Sequence, residues 1–110
     1  MADRSLADYI MEQLAGLDGV RRRPMMGGWL FYYRGRLFGG IYANGFLVKL
    51  TPAAQRHMPD SVPEPCNGPG GAPMLPVTIL DDAEALCAMV ADMWPELPDP
   101  VPRRRKRKSR

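Results

Sequence analysis

At 110 residues the chain has room for one domain with a modest core, not for two domains or a deep cleft. Its 45% apolar and 25% charged residues exclude wholesale disorder, and no apolar run approaches the roughly 18 residues a membrane helix needs. The formal charge of +3 misleads, because residues 103–110 hold seven of the 15 Lys and Arg and leave the first 102 residues at a net −4.

In chain order, Ser5 with Asp8 has the spacing of a capping box, and Leu6, Ile10, Leu14 and Leu17 then line one helical face. A helix over 5–17 follows, stopped by Asp18-Gly19. Acids sit in this segment where a secretion signal needs a basic and then an apolar stretch, so a cytoplasmic protein is expected. Arg21, Arg22 and Arg23 come next and read as a solvated strand entrance or an anion site. Alternation sends Arg22 opposite to its neighbours.

From Trp29 to Leu50 the residues turn aromatic and β-branched. Arg34-Gly35 and Asn44-Gly45 divide them into strands over 29–33, 36–42 and 46–50, a meander with two-residue turns. That geometry sets Tyr33 opposite Arg36, Tyr32 opposite Leu37, Leu30 opposite Gly39 and Ile41 opposite Val48. One face then holds Leu30, Tyr32, Leu37, Gly39, Ile41, Ala43, Phe46, Val48 and Leu50, nearly pure core. The other holds Trp29, Phe31, Tyr33, Arg36, Phe38, Gly40, Tyr42, Leu47 and Lys49. Gly39 and Gly40 read as points where the sheet bends or a neighbour packs closely.

Thr51-Pro52 opens a short helix through about His57. Residues 59–73, with five prolines and three glycines, form an irregular loop. Residues 74–80 form a further strand that Pro76 restricts to an edge or an entrance. Asp81 and Glu84 give a second capping box, followed by Ala83, Leu86, Cys87, Val90 and Trp94 at helical spacing. The order α-β-β-β-α-β-α predicts a two-layer α+β domain over residues 1–98, with an antiparallel sheet and helices on one face. Leu6, Ile10, Leu14, Leu30, Ile41, Val48, Leu86 and Val90 are the expected shared core. Residues 99–110 form a basic tail, expected to lack fixed structure.

No catalytic set assembles. Ser5, Ser61 and Ser109 read as a cap, a loop and a tail residue, and His57 is the sole histidine. Cys66 lacks an activating neighbour, Cys87 lies on an apolar stripe, and neither has zinc-site spacing. No metal and no cofactor is expected. Candidate anion-binding residues are Arg21, Arg22 and Arg23, with Arg103, Arg104, Arg105, Lys106, Arg107, Lys108 and Arg110 of the tail. The tail's charges support phosphate binding without base readout. On the second sheet face, Trp29, Phe31, Tyr33, Phe38 and Tyr42, rimmed by Arg36 and Lys49, form an aromatic patch too large to leave in water. A homodimer through that face is expected, with loop 59–73 as an alternative cover.

Several blocks carry a resemblance. Pro24-Met25-Met26-Gly27-Gly28 after an Arg run, Tyr32-Tyr33-Arg34-Gly35, Leu37-Phe38-Gly39-Gly40-Ile41-Tyr42, Phe46-Leu47-Val48-Lys49 and Glu96-Leu97-Pro98 resemble the TfoX/Sxy N-terminal domain family over residues 5–100. The resemblance implies a two-layer, secretion-chaperone-like fold. It also implies a bacterial, stand-alone, non-catalytic module of the kind that regulates competence and transcription with a protein partner. The alternatives of other classes are a small-ligand binder or enzyme with the aromatic face as pocket floor, and a nonspecific nucleic-acid binder working through its tail.

Overall fold

The computed structural model describes residues 4–98. It is an α+β fold in two layers, a six-stranded antiparallel sheet with three helices packed against it. Helix α1 spans Arg4–Gln13 and buries Ala7 and Ile10, with Leu14 buried just after its end. Ser5 already lies inside this helix and is not its cap. The helix is also shorter than its periodicity predicts. After Gln13 the chain tightens into turns, with Leu17 N–H donating to the Leu14 carbonyl at 2.9 Å.

Four strands follow as a meander: β1 Val20–Met25, β2 Gly28–Tyr33, β3 Arg36–Tyr42 and β4 Gly45–Lys49. Three of them follow the turn signals. β1 was foreseen only as a strand entrance, because arginines and a proline argue against a strand interior. It forms at the rim of the sheet, where one side of the strand faces water and Pro24 need not donate a ladder bond.

The register differs from two plain hairpins. Tyr33 faces Arg36 and Tyr32 faces Leu37 as expected, but Phe31 then faces Gly39, Leu30 faces Gly40 and Trp29 faces Ile41. A β-bulge lies between Phe31 and Tyr32 in this pairing, and Phe38 is the extra residue. The glycine pair permits the close approach there. A Cβ on Gly40 would stand 2.5 Å from the Trp29 carbonyl oxygen, and one on Gly39 would stand 2.5 Å from that of Leu47. In the next hairpin Tyr42 faces Gly45 and Ile41 faces Phe46, so the turn residues are Ala43 and Asn44. That shift of two leaves the faces unchanged. The bulge does not, because a slip of one residue exchanges the two sides of β2 relative to β4.

Helix α2, Pro52–His57, starts as its sequence dictates, the Thr51 hydroxyl accepting from Ala54 N–H at 3.1 Å. Two strands then extend the sheet: β5 Glu64–Pro65, and β6 Pro73–Pro76 between β4 and β5. Helix α3, Ala83–Met93, is capped by Asp82, whose carboxylate accepts from Ala85 N–H at 3.0 Å. The cap is one residue later than expected, and Asp81 instead accepts a hydrogen bond from the Tyr9 hydroxyl at 2.7 Å. A 3-10 turn over Trp94–Glu96 closes the described chain.

The core lies between helices and sheet. Ile10, Leu14, Ile41, Val48, Leu86 and Val90 meet there as expected, with Leu6 packed at its margin. Leu30 does not, because the bulge turns it to the opposite side. Its place is taken by Trp29, Phe31, Tyr33 and Phe38. Phe31 and Phe38 are fully buried, their ring centroids 6.3 Å apart, and Phe46 stands edge-on to Phe31 at 5.6 Å.

Candidate functional site: the uncovered half of the sheet

Helices cover one side of the sheet, so any recognition surface built by the strands lies on the other. Cross-strand partners share a face, and the pairing assigns that open side. Arg21, Tyr32 and Leu37 form one row across β1, β2 and β3. Arg23, Leu30, Gly40, Leu47 and Pro76 form the next. Lys49, paired with Met74, belongs to the same side on β4.

One end of this face is covered by the chain itself. Asn44 in the β3–β4 turn and Asn67 in the β5–β6 segment hold each other: Ala43 N–H donates to the Asn67 side chain at 2.7 Å, and Asn67 N–H to the Asn44 side chain at 3.0 Å. Leu47 and Met74 are buried there despite facing away from the helices. The Tyr42 ring lies over Gly40, 3.2 Å from where a Cβ would stand. Burial, then the neighbouring Cys66 thiol and the Tyr32 hydroxyl, raise the Tyr42 hydroxyl above its ordinary value. The expected cover of loop 59–73 therefore exists, but over Tyr42 and Leu47 rather than over an aromatic cluster.

The other end, toward the β2–β3 turn, has no such cover among the described residues. Leu30, Tyr32 and Leu37 are only half-buried, while Arg21 and Arg23 are exposed. Arg21, Arg23 and Lys49 form no ion pair among the described residues. Arg21, Arg22, Arg23, Tyr32 and Gly35 line an open groove of about 510 Å³. Asp8, Glu12, Glu84 and Asp92 all ride on α1 and α3, in the opposite layer. These four acids thus lie away from Arg21 and Arg23, and the open end of the sheet carries those two cations.

The candidate residues separate accordingly. Trp29, Phe31, Tyr33 and Phe38 are core under the helices and offer nothing to a partner or to a pocket floor. The expected aromatic patch is corrected by the bulge, which no alternation rule contains. Arg36 also turns inward. It stacks 4.1 Å over the Trp94 ring and donates from Nη1 to the carbonyls of Trp94 at 3.0 Å and Leu97 at 3.3 Å. Tyr42 and Lys49 remain on the open side. Arg22 faces opposite to Arg21 and Arg23, as alternation requires. It meets the Asp8 carboxylate at 2.8 Å and lies 4.7 Å over the Trp29 ring. Arg103, Arg104, Arg105, Lys106, Arg107, Lys108 and Arg110 lie outside the described residues, and so does the expectation that the tail lacks fixed structure.

Residue reasoning missed Tyr32, Leu30 and Leu37 as surface residues. The signal for them was the Gly39-Gly40 pair inside a strand, which marks bulges. His57 pairs with Asp92 at 2.9 Å between α2 and α3. Cys87 donates to the Gln13 carbonyl at 3.4 Å. Among the described residues no three His, Cys, Asp or Glu side chains converge on a common point, and no helix is long and apolar enough to cross a membrane. Compared with family models, curated proteins and solved structures, the chain matches none.

Proposed function

We propose that this chain is a non-catalytic recognition module of the cytoplasm, of the regulatory kind that its likeness to TfoX/Sxy N-terminal domains implies, and that the uncovered half of its sheet is the recognition surface. One observation carries the reading. Arg21 and Arg23 flank half-buried Leu30, Tyr32 and Leu37 and have no counter-charge among the described residues. Unpaired cations around apolar side chains serve no packing purpose, whereas an apolar centre with a charged rim is the anatomy of an interface. A two-fold homodimer through this face is the weaker reading, because self-pairing would bring cations against cations.

Affinity capture from a native lysate tests the module. The full chain should retain a macromolecular partner that Arg21→Glu with Arg23→Glu loses. Glu84→Lys, an exposed change on the helical layer, should keep it. Equal capture by all three proteins would overturn the assignment of the surface.

A further inference from the structure

We propose that the uncovered half of the sheet binds single-stranded nucleic acid, with a base stacked on Tyr32 and phosphates held by Arg21 and Arg23. The inference rests on the reading of this face as a recognition surface, and it names the occupant. Arg21 and Arg23 are two residues apart on one face of β1, hence about 6.6 Å apart along the strand. That is the order of the separation between neighbouring phosphates in an extended single strand. Tyr32 pairs directly with Arg21 on β2 and lines the same groove. A planar ring beside a guanidinium supplies the two contacts that nonspecific single-strand binders combine, stacking and phosphate neutralisation.

The groove is open along its length, and its fifth lining residue, Gly35, puts no side chain in the way of a passing strand. Leu37 and Lys49 continue across β3 and β4 on the same side. Lys49 lies three strand spacings from Arg21, roughly 14 Å across the sheet, at right angles to the line of the two arginines and outside the groove itself. β1 is held from behind, since Arg22 is tied to Asp8 of α1 at 2.8 Å. The two outward arginines are therefore presented on an anchored strand.

An acidic amphipathic helix of a partner protein fits less well. A stable protein interface buries about 800 Å² on each side around an apolar centre. The open end offers three half-buried apolar side chains and two cations without an ion pair among the described residues, a ratio suited to a phosphate chain.

The test uses the full chain and a fluorescein-labelled fifteen-residue oligo-dT, followed by anisotropy, with heparin as a base-free polyanion. The seven basic residues of 103–110 bind both probes through charge alone, so the variants must separate face from tail. Tyr32→Ala should weaken oligo-dT binding about tenfold, with heparin affinity unchanged. Tyr32→Phe should retain binding, which keeps ring loss distinct from any change in folding. Arg21→Ser with Arg23→Ser should lower the slope of log affinity against log salt by about 1.4, the loss of two phosphate contacts on a single strand. Oligo-dT affinity and slope unchanged in both variants would overturn the proposal and leave the tail as the binder. So would an equal loss of heparin and oligo-dT binding in Tyr32→Ala. If these variants abolish capture of a lysate protein while oligo-dT binding is untouched, the surface stands and its nucleic-acid occupant falls.

Discussion

Arg36 illustrates how far one side chain's role depends on the face it is given. With its guanidinium over the Trp94 ring and two carbonyls accepting from Nη1, it ties the start of β3 to the segment after α3. The same segment is held from the other side, where the Glu96 carboxylate accepts from Ala53 N–H at 2.8 Å in the first turn of α2. Hydrogen bonds from a charged group are worth about 1.5–3 kcal/mol each when the geometry is good. Arg36→Ala should therefore lower stability in urea by about 2 kcal/mol. Arg36→Lys should recover less than half of this, because an ammonium does not stack as a plane on the Trp94 ring. Equal stability of wild type and Arg36→Ala would show that the clamp adds nothing. From sequence this residue reads as the rim of an interface. Its charge was legible, but its direction was not, since direction depends on which side of β3 the helices choose.

Elements were legible wherever their signals are local. Thr51-Pro52 opens α2 because a hydroxyl cap and a proline at the first helical position act within one turn. The spacing of Ile10, Leu14, Leu86 and Val90 gives two amphipathic helices for the same reason. β1 and β5 were not foreseen as strands, because both rest on a neighbour supplying the ladder rather than on their own residues. The open-face site was hidden for a related cause. Alternation within β2 is read correctly from its sequence, but joining it to β3 requires knowing that Phe38 is an extra residue. That bulge depends on glycine. Gly39→Ala or Gly40→Ala forces a Cβ to within 2.5 Å of a backbone oxygen on the adjacent strand. Each should destabilise by on the order of 2–3 kcal/mol, read as a lower midpoint in thermal unfolding. An unchanged midpoint would mean that the strands can move apart there at little cost.

At the scale of the molecule, the two layers differ in chemistry as well as in secondary structure. Rings fill the space between them, Asp8, Glu12, Glu84 and Asp92 ride on the helices, and Arg21, Arg23 and Lys49, which have no ion pair among the described residues, stand on the open side of the sheet. Phe31 and Phe38 consequently belong to stability and not to assembly. Phe31→Ala and Phe38→Ala should each cost about 3–5 kcal/mol. Neither should change the mass measured by light scattering at a concentration where the variant remains folded. A mass that halves in either variant would restore these rings to an interface. The distribution of hydrogen bonds along the chain has a further consequence, for the time course of folding. The first four strands pair in the order in which they are synthesised, joined by turns of a few residues, so their loop closures cost little chain entropy. β6 must return to β4 across more than twenty residues, and α3 reaches α1 from the far end of the described chain. The meander is thus the part that can nucleate, and the layer of helices that hides its aromatic side closes last. Until it does, the rings of β2 and β3 face water beside a basic strand edge, whose charge keeps two unfinished copies apart.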